Sequence, residues 1–396
     1  MSISKPLPAF DSLTRSGIKC QGEEKIHPSP PLQKEGDLKY WLPFSYYGKF
    51  GPVRFRKILN YFPTMAEAYR ASGADLMQAG IEEKYVAEFV SARPELHPDK
   101  LLAEVAANGI NLLTIEDENY PARLKQIYDA PALLYVRGKL EDDEWPLGVV
   151  GTRKITSYGR MVVPRIVADL ARQGITVVSG LAFGVDALAH SVTLENKGRT
   201  VAVLGSGLDD KTIYPAVNLN LAHRIIESGG AVISELPPGT PPLKQNFPHR
   251  NRIISGLALG VLVIEADVNS GSLITAKLAL DQNRDVFAVP GSILSPVSAG
   301  PNNLIKMGAK LIVSAADVLE ALNLTEALQF IESKKILPDT PNEAKILEHI
   351  NHEPLHADKI VVLTGLDAST VSSTLTFMEM KGKVLNLGGM NYVLAR

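Results

Sequence analysis

Seven short apolar runs alternate with amphipathic patterns through residues 146–322, and this alternation is the clearest structural signal in the chain. The runs are apolar at every position rather than at every second one, so we expect strands that are buried on both faces. Patterns such as those of residues 161–173 and 272–283 predict helices between the strands. This order predicts an α/β fold with a doubly wound, mostly parallel, Rossmann-like sheet. The predicted strands are 147–152, 175–180, 200–205, 231–235, 261–266, 285–290 and 310–315.

Two further strands are predicted just before this region, near residues 111–115 and 132–137, with a proline-marked segment between them. We expect both at the edge of the sheet. With them, the Rossmann-like domain is predicted to span residues 101–322.

The region before the sheet reads as short helices. Residues 38–100 carry helical patterns at 51–62, 66–80 and 83–93, which predict a helical domain of the SAM or helix-hairpin-helix kind. The Gly-Pro start of the first of these helices could hold a DNA phosphate on its free amides. A plain helical bundle packed on the main domain is the interpretation that we favour. Residues 1–37, rich in proline and scattered charge, predict a disordered lead-in.

The chain changes character again after a predicted linker at residues 323–341. Residues 342–396 carry three helical patterns followed by a hairpin that turns at Gly388-Gly389, which is the order of a winged-helix-like domain. The third helical pattern has Ser, Thr and Glu where a DNA-reading helix would need Arg or Lys. We therefore favour a protein contact for this domain over base readout.

Composition narrows the class of protein. The 396 residues are too many for one average domain, and the formal net charge is −2, so a polyanion would have to meet a local patch. The lone Cys20 is incompatible with a disulfide framework. The sequence shows neither a run of about 18 apolar residues nor a signal-peptide pattern, so we expect a cytoplasmic protein without a membrane span.

The segment KQNFPHRNR (244–252) carries the strongest chemical signal. It gathers Lys244, Arg250 and Arg252 around Phe247 and contains no acidic residue. Positive charge suits phosphates and a flat ring suits unpaired bases, which is the combination that single-stranded nucleic acid requires. We expect a cationic loop here, although the segment alone would also suit RNA, a nucleotide or another polyanion.

Two glycine-bearing turns are expected beside this loop, since the carboxyl ends of parallel strands share one edge of a sheet. The first contains Gly151 and Arg153, whose guanidinium can grip a phosphate with two hydrogen bonds. The second contains Ser179 and Gly180. For either turn the plain alternative is a tight connection between strand and helix.

Enzymatic signatures are missing from the sequence. The glycines at 205 and 207 lack the third glycine of the dinucleotide fingerprint, and no Walker sequence or metal-ligand spacing occurs. We find no nucleophile-and-base set and expect neither catalysis nor a cofactor. Glu265, at the end of a predicted strand, is the one carboxylate to inspect.

Long motifs throughout the Rossmann-like region resemble the DprA (Smf) family of bacterial DNA-processing proteins. They agree in order and spacing and are VVGTRKITSYG (149–159), VSGLAFGVDALAH (178–190), AVLGSGLDDKTIYP (202–215), ISELPPGTPPLKQNFPHRNRIISGLA (233–258), NSGSLITAKLALDQNRDVFAVPG (269–291) and GPNNLI (300–305). The resemblance implies a non-enzymatic recombination mediator. Such a protein binds single-stranded DNA, works with single-strand-binding protein and loads RecA onto the strand during natural transformation.

The resemblance also implies site residues and an assembly. The family's DNA pocket corresponds here to Arg153, Lys244 and Phe247, and the resemblance implies that five more residues line it. These are Gly151, Ser179, Gly180, Arg250 and Arg252. Family members dimerise through the Rossmann-like domain, which predicts a homodimer.

Two alternatives stay open. The first is a nucleotide hydrolase related to the Rossmann-like phosphoribohydrolases, but LPPGTPP (236–242) lacks the glycine run and glutamate of their signature. The second is a protein-interaction scaffold in which the basic loop is incidental.

Overall fold

The computed structural model describes residues 37–143, 145–324, 338–350 and 354–394. The predicted disordered lead-in, apart from Asp37, and most of the predicted linker therefore lie outside the described residues.

Helices before the sheet pack around a cluster of aromatic rings. Phe44 stacks on Phe89 with their ring centroids 4.7 Å apart, and the edge of Phe50 meets Phe89 at 5.1 Å. The segment 66–80, predicted as one helix, is two, because Ser72 caps the second of them in a reciprocal pair with Asp75. The helices are α1 (Trp41–Tyr47), α2 (Pro52–Tyr61), α3 (Met65–Arg70), α4 (Gly73–Gln78), α5 (Glu83–Ala92) and α6 (Pro98–Ala107).

The cations at the start of α2 are held by protein groups. Arg54 pairs with Glu82 at 2.8 Å, Arg56 donates to the carbonyl of Tyr128 at 2.6 Å, and Lys57 donates to a carbonyl at 2.6 Å. These contacts favour the plain helical bundle for this region over a phosphate-binding module.

Nine strands of the described residues form one sheet in the order β1-β2-β6-β5-β4-β3-β7-β8-β9. Neighbouring strands from β6 to β9 in this order run parallel, while β2 runs antiparallel to β1 and to β6. The predicted doubly wound, mostly parallel sheet is confirmed. The strands are β1 (Asn111–Thr114), β2 (Leu133–Gly138), β3 (Pro146–Val150), β4 (Thr176–Ser179), β5 (Thr200–Leu204), β6 (Ala231–Ser234), β7 (Gly260–Val263), β8 (Asp285–Ala288) and β9 (Lys310–Leu311).

The expectation of two edge strands is correct for β1 and wrong for β2. β2 pairs on both sides, and its residues from Leu133 to Val136 are all buried. The uninterrupted apolar run LLYV is the pattern of a strand covered on both faces, and this signal identifies β2 as an interior strand.

Helices cover both faces of the sheet, and successive strand residues point to opposite layers. Val149 belongs to the layer under α8, α9 and α14, whereas Val150 belongs to the layer under α7, α11 and α12. The helices in and after the sheet region are α7 (Ala122–Lys125), α8 (Ser157–Arg172), α9 (Val185–Glu195), α10 (Leu219–Glu227), α11 (Asn246–Leu257), α12 (Gly271–Asp281), α13 (Ala299–Lys306) and α14 (Ala315–Ala321). The aromatic cluster of the N-terminal helices is continuous with sheet residues near β2, β5 and β6, and Tyr135 donates a hydrogen bond to Ser45 at 2.9 Å.

The chain reverses its direction of winding between β3 and β7. From β3 the strands are added outward through β4 and β5 to β6, and the chain then returns to place β7 on the other side of β3. Ligands of open α/β sheets bind beyond the carboxyl ends of the strands at such a switch point.

The C-terminal residues form a winged helix, as predicted. Its elements are α15 (Pro341–Leu347), β10 (Leu355–His356), α16 (Ala357–Thr364), α17 (Ala368–Met380), β11 (Val384–Asn386) and β12 (Asn391–Leu394), with β12 between the other two strands. Its own core includes Ile346, Ile360 and Leu375. Among the described residues no single helix is long and apolar enough to cross a membrane, and the pair α16–α17, which would be long enough together, is bent by 115°.

Candidate nucleic-acid interface

A cleft of about 640 Å³ opens at the switch point between β3 and β7. One wall is the turn after β3, the opposite wall is the start of α12, and the first turns of α11 lie across one side. Its lining residues are Val150, Gly151, Arg153, Ala182, Asp186, Tyr214, Pro242, Lys244, Phe247, Pro248, Arg250, Asn251, Ile254, Ser270, Gly271, Ser272, Ile274 and Thr275. We call this the first cleft.

Arg153 and Phe247 meet in the first cleft, although 94 positions of sequence numbering separate them. The Arg153 guanidinium carbon lies 5.3 Å from the centroid of the Phe247 ring, within cation–π range. Lys244 and Arg153 are both exposed, and Phe247 is half-buried. Two exposed cations and a partly exposed ring therefore share one site.

The segment predicted as a cationic loop is largely helical. α11 begins at Asn246, so Phe247 lies in the first turn of the helix and only Lys244 and Gln245 precede it. Pro248 is compatible with this start because the first helical amides need no partner within the helix. The helix fixes Phe247 more firmly than a loop would.

Two aromatic residues that the sequence analysis did not select extend the ring surface. Tyr214 lies 5.9 Å from Phe247, and Phe183 lies 6.4 Å from Tyr214, centroid to centroid. Both side chains are about two-fifths exposed. The signal in the sequence was their position, since each follows the carboxyl end of a strand, in the motifs VSGLAFGVD and TIYP.

Arg250 forms the floor of the first cleft and is buried. It donates to the carbonyl of Val203, and burial lowers its pKa to about 10, while the nearby Asp186 raises it. Asp186 accepts a hydrogen bond from the Gly180 amide at 3.1 Å, and burial raises the pKa of its carboxyl while Arg250 opposes that change. A side chain at position 180 would collide with the Arg250 guanidinium. Gly180 thus makes room for the buried arginine.

Ser179 and Gly151 have structural roles in the same region. The Ser179 hydroxyl is buried and donates to the carbonyl of Val149 at 2.6 Å. Gly151 lines the first cleft, but the space that a side chain would need is filled by Val185. Both residues hold the ends of β3 and β4 in place.

Arg252 lies apart from the other residues with which the sequence grouped it. It is buried beside Glu235, whose carboxylate it contacts at 2.7 Å, and Asp129, at 3.1 Å, and it does not line the first cleft. The reason is helical geometry: Arg250 and Arg252 are two positions apart on α11, so they point about 200° apart around the helix.

Glu265, the carboxylate singled out from the sequence, does not line the first cleft either. Its side chain is buried and accepts hydrogen bonds from the amide and hydroxyl of Thr156, the residue that caps α8. It therefore fixes the turn between β3 and α8.

The charges that line the first cleft favour an anion. Arg153, Lys244 and Arg250 face Asp186 alone among acidic lining residues. The start of α12, an eleven-residue helix, adds the positive end of its dipole at Gly271. Within the described residues no group of three or more His, Cys, Asp or Glu side chains could hold a metal ion.

Comparisons with known proteins agree with the motifs. Residues 111–323 match the family model of DNA recombination-mediator protein A, and residues 332–390 match that of the DprA winged helix domain. The chain is 36% identical to Protein Smf of Synechocystis over 89% of this chain and 98% of the relative. It is 45% identical to DNA processing protein DprA of Bacillus subtilis over 56% of this chain and 75% of the relative.

A solved structure is also similar. The crystal structure of DNA processing protein A from Streptococcus pneumoniae has a TM-score of 0.60 and 36% identity, covering 71% of this chain and 97% of that one. Because the first family model covers more than half of the chain and the Synechocystis relative is matched over nearly its whole length, this chain belongs to the DprA (Smf) family of DNA recombination mediators.

Proposed function

We propose that this chain binds single-stranded DNA in the first cleft as a recombination mediator. The observation that carries the proposal is the meeting of the Arg153 guanidinium and the Phe247 ring at 5.3 Å beside the exposed Lys244. The two cations can neutralise neighbouring phosphates while the ring stacks on the base between them.

The geometry favours a single strand over a duplex. Bases in a duplex are already stacked on both faces, so a protein ring can stack only on a base that has been freed from its neighbours. Phe183, Tyr214 and Phe247 offer such rings in a row. A confined cleft also fits a protein of net charge −2, which has no general attraction for DNA.

The test is a comparison of strands. Fluorescence anisotropy with labelled oligo-dT and with a duplex of equal length should show tighter binding to the single strand, and raised salt should weaken it. Equal affinity for both forms would contradict the proposal.

We propose that the chain has no catalytic turnover. Asp186, the acidic residue that lines the first cleft, accepts a hydrogen bond from the Gly180 amide and interacts electrostatically with Arg250. Glu265 is buried under α8. Asp186 lines the cleft but is buried, and Glu265 does not line it. Incubation with nucleoside monophosphates should release no free base, and base release that Glu265→Gln abolishes would restore the hydrolase alternative.

We propose a homodimer formed through the Rossmann-like domain, as the family resemblance implies. The open side of β9 supports this proposal, because exposed apolar side chains gather near it, among them Leu311, Val313 and Met307. An unpaired apolar edge strand is a natural surface for association. Light scattering should give twice the chain mass, and Val313→Lys should shift the protein toward monomer.

We also propose RecA and single-strand-binding protein as partners, from the resemblance, and the cytoplasm as the location, from the sequence patterns described above. The winged helix, taken as residues 342–396, is the proposed partner-binding domain, since Phe377 and Met380 on α17 are mostly exposed. A RecA pull-down with and without residues 342–396 tests this. Equal recovery would assign RecA contact to the rest of the chain.

A further inference from the structure

A second cleft, of about 550 Å³, lies between the N-terminal helices and the sheet. Its walls come from the α1–α2 connection on one side and from the ends of β5 and β6 on the other. The lining includes the rings of Tyr46, Phe50, Phe55 and His249 together with Gly51 and Arg252. Residues of the motif at 233–258 form part of its lining, but the phosphate and base contacts proposed for the first cleft leave this space unused.

Arg252 lines the second cleft and has one buried nitrogen without a hydrogen-bond partner among the described residues. The residue is 5% exposed, its Nε and Nη2 groups are held by Asp129 and Glu235, and its Nη1 has no partner among the described residues. A buried donor without a partner is costly, and such groups in native proteins call for an explanation such as a missing ligand.

The charges of the second cleft argue against a phosphate there. Of the two guanidinium groups that line it, that of Arg252 faces the carboxylates of Asp129 and Glu235 and that of Arg250 donates to the Val203 carbonyl, and no lysine lines the cleft. A flat, uncharged group with both donors and acceptors fits better, because it can accept from Arg252, donate to Glu235 and lie against the rings. A nucleobase has this chemistry.

The second cleft adjoins the first. Lys244 and Phe247 line the first cleft, Leu243 and Asn246 line the second, and Arg250 lines both. The start of α11 is therefore a wall that the two clefts share.

We propose that the second cleft receives a nucleobase of the strand whose phosphates and preceding base occupy the first cleft. This inference rests on the proposed single-strand binding. It makes the N-terminal helices part of the DNA site. They contribute aromatic rings to the wall of the second cleft, and they do so without the phosphate contact at the Gly-Pro start of α2 that the sequence suggested.

Filling the second cleft tests the inference. Gly51 has extended backbone angles, and a Cβ added there meets no atom within 4 Å, so the backbone accepts a side chain at this position and Gly51→Trp is the filling variant. Val53→Trp adds the same ring to the exposed side of the same helix, outside the cleft lining, and is the matched control. His249→Ala, which removes one ring of the wall, is a second variant.

The readout is photocrosslinking of oligo-dT that carries 4-thiothymidine, with the labelled residues mapped by mass spectrometry. We expect labels near Phe247 and also near His249 or Tyr46. Gly51→Trp should remove only the second set and weaken binding roughly tenfold, the loss of about one stacked base. His249→Ala should weaken binding less, and Val53→Trp should behave as the unsubstituted protein.

The outcomes separate the two proposals. If the labels are confined to the first cleft, the proposal that the second cleft receives a base is wrong, while strand binding stands. The same conclusion follows if the second set of labels persists in Gly51→Trp. Labelling of the second cleft by free 4-thiothymidine but not by the strand also overturns that proposal. Failure of the unsubstituted protein to bind any single strand overturns both.

Discussion

At the scale of single residues, Phe247 is the side chain on which the proposed DNA contact depends most. Phe247→Leu keeps an apolar group of similar size but removes the flat face, so we expect single-strand affinity to fall by about 1–3 kcal/mol. Arg153→Ala should weaken single-strand binding by a comparable free energy, because a phosphate contact is lost. Anisotropy titrations measure both, and Lys125→Ala on α7, away from the cleft, should change nothing.

Gly180 allows a prediction about stability. Its position leaves no room for a methyl group beside the Arg250 guanidinium, so Gly180→Ala should destabilise the fold by about 1–3 kcal/mol. Gly271→Ala is the control, because a Cβ there meets no atom within 4 Å and alanine favours a helix. Chemical denaturation compares the two variants. Equal stability would show that Arg250 can move aside at little cost.

Residue types and spacing predicted which residues near the strand ends would come together at the first cleft. They did not predict the direction in which each side chain points. Arg153, Lys244 and Phe247 could be assembled from the sequence because they follow or precede recognisable strands. Arg252 could not be separated from Arg250 while the segment was taken as a loop. The helical rotation of α11 turns Arg252 away from the first cleft, whereas Arg250 lines both clefts.

At the scale of elements, strands were predicted better than helix boundaries. Apolar runs identified the strands of the large sheet, and the pattern is clearest for β3 to β8, which are parallel and almost fully buried. No specific helix was predicted at α1 or α6. The start of α11 was hidden by Pro248 and by its run of polar residues.

The winged helix provides a prediction about pH. Burial raises the pKa of Glu343, but hydrogen bonds from Lys383, the Asp339 amide and Lys381 outweigh it and lower the pKa from 4.5 to about 2. A carboxyl whose pKa falls on folding stabilises the fold above its unfolded pKa. We therefore expect this contribution to be complete above pH 4.5 and to be lost as the pH falls toward 2.

Glu343→Gln isolates that contribution. The variant should be less stable than the parent at neutral pH, and its stability should change less between pH 4.5 and 2. Thermal unfolding of the winged helix, followed by circular dichroism across this range, measures the difference. Parallel pH curves for the two proteins would contradict the assigned ion cluster.

At the scale of the whole molecule, the formal net charge is −2, whereas the first cleft is lined mainly by cations. With two exposed cations in the cleft, we expect about two phosphates to be neutralised. The logarithm of the binding constant should then fall with the logarithm of salt concentration with a slope of about −1.4. Titrations of oligo-dT at several salt concentrations measure this slope. A much steeper slope would mean that the strand contacts a wider basic surface.

The close packing of Phe247 has a consequence for the rate of binding. A Cβ at position 205 would come within 3.1 Å of the ring, so the bare backbone of Gly205 packs closely against Phe247. The Gly205 backbone thus limits the movement of the ring before any strand arrives. Preorganisation of this kind spares about 0.5–1.5 kcal/mol of side-chain ordering on association. Capture of a free base should therefore be a single fast step, without a slow rearrangement of the protein after the encounter.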